Sequence, residues 1–123
     1  MGGRRSRGDT PGPEAALRRG TVYWINLEPS TPPEMGKVRP GVIVSNSIQN
    51  DDLDSVVVVP LSSRAPEIWP LRIEVKSKGL KLSFAVIPGL RQVSKARLQR
   101  PIAHLSESVI DRIGEAIALY LSD

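Results

Sequence analysis

The side chains able to do chemistry in this sequence are arginines, lysines and serines, because the chain contains no cysteine and one histidine, His104. Arg39 stands directly before Pro40, with Lys37 two positions upstream. A guanidinium is permanently charged and offers a planar fork of donors that matches two oxygens of a phosphate, while an ammonium acts as a point charge. Read alone, the same arginine is equally an ordinary residue at a strand edge. Ser62 and Ser63 follow an apolar run and carry hydroxyls able to donate to a phosphate, although serines in that position commonly just form turns. Arg64 and Arg91 are further cations able to track a phosphate backbone. Trp69 offers a surface for stacking a base or for packing into a partner. The common chemistry is a grip on phosphate. Asp51, Asp52 and Asp54 read as turn residues rather than metal ligands, so neither a metal nor another cofactor is expected.

Short strands must position these residues. Thr21 to Leu27, Gly41 to Asn46, Ser55 to Leu61, Leu71 to Val75, Phe84 to Ile87 and Leu90 to Val93 are rich in β-branched residues or alternate apolar with polar. Ser55 to Leu61 is apolar on both faces and is expected at the centre of a sheet. Pro29 to Gly36 and Ser62 to Pro70 read as loops, and Ser47 to Asp54 as a turn. Ser94 is placed to cap a short helix over Lys95 to Gln99, and Ser106 a longer one over Glu107 to Leu121. In the latter, Val109, Ile110, Ile113, Ala116, Ile117, Tyr120 and Leu121 recur at the spacing of a one-sided helix. Strands followed by helices predict an α+β fold, here a small, strongly bent barrel closed by C-terminal helices.

Charge is unevenly spread. The net formal charge of +4 divides into +3 over residues 1–20, −2 over 21–53, +6 over 54–100 and −3 over 101–123. A basic middle segment is where a polyanion is expected to dock. Residues 1–18 are rich in Gly, Pro and Arg without apolar periodicity and read as a flexible basic tail; residues 19–123 form one domain. The longest apolar run, Val56 to Leu61, is far short of the ~20 residues of a spanning helix, and no apolar stretch follows Arg4, Arg5 and Arg7, so no membrane association and a cytoplasmic location are expected.

Four stretches, in order, resemble the MazF/PemK toxin family: Arg19 to Leu27 (RGTVYWINL), Lys37 to Asn46 (KVRPGVIVSN), Val57 to Ser63 (VVVPLSS) and Leu90 to Leu98 (LRQVSKARL). The resemblance runs from Arg19 to the C-terminus. It implies an SH3-like barrel, a two-fold homodimer, sequence-selective endoribonuclease activity on single-stranded mRNA and a cognate antitoxin. In the family the arginine of the RP motif and a hydroxyl residue after the third strand carry the chemistry, which points to Arg39 and Ser62, with Lys37, Ser63, Arg64, Trp69 and Arg91 as RNA contacts. The chain departs from the family's pattern in having Thr21 for an acid, Ser62 for threonine and Pro88-Gly89 for an acid followed by glutamine.

RNA carries its own nucleophile, the ribose 2′-hydroxyl. Cleavage then needs a base, stabilisation of the phosphorane and a proton for the leaving 5′-oxygen, without a metal, and leaves a 2′,3′-cyclic phosphate. The base is open among His104, water and a carboxylate of a second subunit. Two further readings stand beside this one: a non-catalytic RNA-binding relative, and a toxin of the same fold acting on a topoisomerase.

Overall fold

The computed structural model describes residues 17–123. Its strands are β1 (Thr21–Asn26), β2 (Val38–Ile43), β3 (Ser55–Ser62), β4 (Arg72–Ser77), β5 (Leu80–Val86), β6 (Arg91–Ser94) and β7 (Leu98–His104). The helices are α1 (Ser47–Asp52) between β2 and β3 and α2 (Glu107–Tyr120) at the end. All pairings are antiparallel, in the order β4-β5-β3-β2-β1-β7, with β6 added on β3. The sheet curls into a half-barrel with α2 against it, the expected α+β architecture.

β3 is the hub. Its first residues, Ser55 to Val58, pair with β6, its middle with β2, and Leu61 and Ser62 with β5. A strand with partners on both edges is apolar on both faces, as its sequence indicated. One face joins Val59 and Leu61 to Val22, Val42, Ile73, Ala85 and Ile87, and α2 adds Ile113 and Ala116 to that core. The other face joins Val56 and Val58 to Tyr23, Ile25, Leu27, Ile43 and Val93. Gly41 sits where the strands press together: a Cβ there would meet Ile25 Cδ1 at 2.7 Å and the Val59 carbonyl at 3.4 Å, so the Ile25 side chain would have to shift.

Several local expectations change. Lys95–Arg97 is one 3₁₀ turn, capped by Ser94, rather than a helix to Gln99. The chain then forms β7, which the sequence conceals because Pro101 and polar residues interrupt it. Pro is tolerated there because, among the described residues, β7 is an edge strand paired only to β1, with two register shifts. β2 starts at Val38 rather than Gly41, so Arg39 and Pro40 are inside the strand, and it ends at Ile43. β5 starts at Leu80, directly after the tight turn closed by Gly79 at φ 85°. The segment read as a turn at Ser47 contains α1, because the Asn46 side chain accepts the backbone N–H of Ile48 at 2.8 Å.

The expected tail falls mostly on residues 1–16, outside the described residues. Leu17, however, is buried in the second core, and its carbonyl accepts from Asn50 Nδ2 at 3.0 Å, so the folded domain begins before residue 19. Asn50, 1% exposed, also donates to the Ser45 carbonyl at 3.2 Å and accepts from Ser45 Oγ at 2.6 Å. It ties the start of the domain, the end of β2 and α1 together. Asn50→Ala leaves two carbonyls without their donor, and such losses cost about 2–3 kcal/mol. The expected result in urea denaturation is a lower midpoint with an unchanged m-value.

Candidate active site

Strand pairing decides which polar residues meet. Gly41 of β2 lies opposite Pro60 of β3, the last pair of that ladder, and Arg39 and Ser62 lie two residues beyond them on the same face. Ser62 pairs with Phe84 of β5, Phe84 with Glu74 of β4, and the next same-face pair is Arg72 with Val86. Because side chains alternate along a strand, Arg39, Ser62, Val86 and Arg72 share one face of the sheet, opposite to the face that buries Leu61, Ile73 and Ala85.

There they line a cleft of about 390 Å³ whose other wall is the loop between β1 and β2, with Glu34 and Met35. Three arginines, Arg39, Arg64 and Arg72, face it against one carboxylate, Glu34. Like charges gathered in a concave surface raise the local potential and attract an anion. Arg39 Nε donates to the Gly36 carbonyl at 2.8 Å, which fixes the guanidinium plane and leaves its terminal nitrogens for a ligand. Ser62 Oγ accepts the Arg64 backbone N–H at 3.1 Å, so its own O–H remains available to donate.

Of the residues singled out in the sequence, Arg39, Ser62 and Arg64 come together in this cleft. Ser63 is exposed and does not line it. Lys37 is exposed at the start of β2. Arg91 donates from Nη1 to the Leu27 carbonyl at 3.2 Å, which makes it an anchor for the base of the loop. Arg97 does the same work, donating to the carbonyls of Asn26 and Glu28. Trp69 is 43% exposed and stacks under Arg112, whose guanidinium carbon is 4.8 Å from the ring centre, away from the cleft lining. Arg112 also pairs with Glu67 at 2.5 Å. The Glu74 backbone N–H, and then Arg112, hold the Glu67 carboxyl below its ordinary range.

His104 lies elsewhere, on β7, where its Nδ1 is 2.9 Å from Thr21 Oγ1. Burial, reinforced by the charge of Arg18 and opposed by Glu107, lowers its pKa. Thr21, where the family pattern has an acid, is therefore a buried partner of His104 and not a cleft residue. Sequence reasoning missed Arg72 and Glu34. Arg72 belongs to the alternating segment LRIEV, whose charged positions read as solvent-facing; Glu34 lies in a loop with no periodicity to orient it.

The loop that forms the second wall is held by local bonds. Glu28 accepts the Lys37 backbone N–H at 2.5 Å and Ser30 Oγ at 3.3 Å. Leu27 N–H donates to the Lys37 carbonyl at 2.9 Å. Lys37 itself adopts φ 67°, the left-handed region, which costs a residue with a Cβ about 1–2 kcal/mol. Lys37→Gly relieves that strain and is expected to leave stability unchanged or slightly raised, whereas Lys37→Val is expected to lower it by more than about 1 kcal/mol. Parallel chemical denaturation of the two variants reads the difference.

Comparison with known proteins identifies the family of the chain. Residues 18–121 match the family model described as PemK-like, MazF-like toxin of type II toxin-antitoxin system. Endoribonuclease EndoA of Bacillus subtilis is 27% identical over 110 residues, spanning 86% of this chain and 95% of that protein. Endoribonuclease MazF9 of Mycobacterium tuberculosis is 28% identical over 113 residues, spanning 85% and 96%. Among solved structures, MazF from Deinococcus radiodurans superposes with a TM-score of 0.75 at 19% identity, covering 85% of this chain and 94% of that one. A mycobacterial endoribonuclease solved in complex with its cognate antitoxin superposes with a TM-score of 0.71 at 22% identity, covering 86% and 97%. These structures share the curled sheet and C-terminal helix, and the match spans nearly all of the described residues: the chain belongs to the PemK-like, MazF-like toxin family of type II toxin–antitoxin systems.

Proposed function

We propose that this toxin is a metal-independent, sequence-selective endoribonuclease that cuts single-stranded mRNA by attack of the 2′-hydroxyl on the adjacent phosphate. The observation that carries the reading is the meeting of Arg39 and Ser62 in one cationic cleft. Two relatives that span the domain are named endoribonucleases, which supports it. The 2′-oxygen forms a bond to phosphorus and the bond from phosphorus to the 5′-oxygen breaks, giving a 2′,3′-cyclic phosphate. The 5′-oxygen leaves with a proton from water. Arg39 neutralises charge building on the non-bridging oxygens, where a preorganised donor is worth about 10²–10³ in rate. Ser62 donates to the same phosphate. Glu34 is the carboxylate on the cleft wall and takes the 2′-hydroxyl proton; one of its oxygens is already positioned by the Thr31 N–H at 2.8 Å. Among the described residues no three His, Cys, Asp or Glu side chains gather as metal ligands.

The active form is a homodimer, with an acidic antitoxin covering the cleft. Exposed apolar side chains on β2, β5 and the end of α2, including Val38, Leu82, Leu119 and Tyr120, support association. A relative of the same fold has been solved with its antitoxin, which supports the second partner. The site of action is the cytoplasm, where mRNA is found. Among the described residues no helix is long and apolar enough to cross a membrane.

Long single-stranded RNA should be cut in excess EDTA and duplex RNA should resist. Arg39→Ala should slow single-turnover cleavage by about 10²–10³ while circular dichroism stays unchanged. Arg39→Lys should restore little, and Ser62→Ala should lose only about tenfold, as one neutral donor. Cleavage that appears only with added divalent metal, or near-wild-type cleavage by a folded Arg39→Ala protein, would refute the mechanism. No cleavage of any RNA, with binding retained, would favour a non-catalytic RNA-binding protein, the reading that the Pro88-Gly89 departure supports. Sedimentation at micromolar concentration should give the mass of two chains; a monomer there removes the dimer from the proposal.

A further inference from the structure

Arg72 is a cation that the fold has buried in part and left without a partner among the described residues. Its Nε–H has no accessible surface and no hydrogen-bond acceptor. No ion pair found among the described residues includes it. The acids nearest in sequence are committed elsewhere: Glu67 to the Glu74 N–H and to Arg112, Glu74 to Lys76 at 3.3 Å. Its backbone is fixed, because Arg72 and Ile68 exchange both main-chain bonds at 2.7 and 2.8 Å as the chain enters β4. A buried donor without an acceptor is costly, the more so on a charged group, and a guanidinium held at that cost in the wall of a cationic cleft is placed to receive an anion at its remaining nitrogens.

We infer that Arg72 is a second phosphate-binding residue of the cleft, holding a phosphodiester of the RNA beside the one gripped by Arg39. The inference rests on the ribonuclease reading for the identity of the ligand. It follows from strand register: Arg72 and Val86 lie on the face that carries Ser62 and Arg39, and all four line the cleft. Single-stranded RNA presents phosphates in series, so a cleft with one cation at the cut and another along the chain fixes the strand's direction and register before bond breaking. Arg39 is tethered to Gly36 and offers its terminal nitrogens; Arg72 has its Nε–H turned into the protein, so it too meets a phosphate through its terminal nitrogens, which can close a bidentate fork on two oxygens. A lysine carries the charge but not this planar fork and does not replace it.

The test uses the full-length protein and two readouts. In the first, the arginine Nε–Hε resonances of the wild-type protein are followed as inorganic phosphate is added, with the Arg72 signal identified by its loss in Arg72→Lys. A saturable shift of that signal is expected; a signal that stays in place overturns the assignment. This readout needs no RNA and no active enzyme. In the second, cleavage of long single-stranded RNA is measured across salt concentrations. Arg72→Gln should raise KM about tenfold or more with a smaller change in kcat, and should reduce the slope of log KM against log salt by about 0.7, the loss of one phosphate contact. Arg72→Lys should also raise KM but keep the wild-type slope, because the charge remains. A slope unchanged in Arg72→Gln, including one accompanied by a simple loss of kcat, overturns the proposal by reducing Arg72 to a structural role. If the wild-type protein cuts no RNA, the ribonuclease reading fails and the phosphate titration alone decides Arg72.

Discussion

The antiparallel ladder that runs from β2 through β3 and β5 to β4 is the constraint on which the rest of the molecule depends. Each strand alternates its side chains, so once Gly41 is set against Pro60 and Ser62 against Phe84, the faces of Arg39, Ser62 and Arg72 are no longer free to vary. A slip of one residue in any of the three pairings would send one of these groups to the opposite face, where Leu61, Ile73 and Ala85 make a core with α2. Burial of that core therefore enforces the site. Gly41 belongs to the same arrangement, since a Cβ there would meet Ile25 Cδ1 at 2.7 Å and displace that buried side chain next to the RP pair.

Gathering Arg39, Arg64 and Arg72 around one cleft opposes folding, because the three cations repel one another and Arg72 gives up hydration without gaining a partner. The fold offsets this elsewhere, through the two apolar clusters on either side of β3 and the buried amide of Asn50. Functional sites commonly carry local costs of this kind, which the binding of substrate relieves. The strained φ of Lys37 belongs to the same pattern. It turns the chain from the loop into β2 just before Arg39, and the Glu28 carboxylate and the Leu27 N–H hold it there.

Arg91 and Arg97 show how the same residue type can serve structure instead of chemistry. Both lie in a basic segment and both spend their guanidinium nitrogens on carbonyls at the end of β1 and the start of the following loop. They fix one wall of the cleft, while Arg39 and Arg72 face into it. Trp69 is a comparable case: its ring stacks under Arg112 near α2, and Arg112 is in turn held by Glu67.

The sequence by itself determined the class of fold, the central place of β3 and the amphipathic α2, because these depend on local periodicity: a run apolar on both faces must be covered on both, and a helix with one apolar stripe must pack on a sheet. Through its family resemblance it pointed to Arg39 and Ser62 as the pair to watch, and by its composition it left histidine or thiolate chemistry little material to work with. It did not reveal β7, because Pro101 and polar neighbours mask a strand whose only partner is β1, nor α1, whose six residues carry no periodic signal beyond the Asn46 cap. Only the tertiary structure decided that Arg72 and Glu34 face the cleft while Arg91 and Trp69 do not, and that Thr21 and His104 are bonded to each other away from it. The physical reason is that alternation tells which residues share a face of one strand, whereas the meeting of faces from different strands is set by register between residues distant in sequence, and a loop such as Pro29 to Gly36 has no period at all until the strands on either side of it are in place.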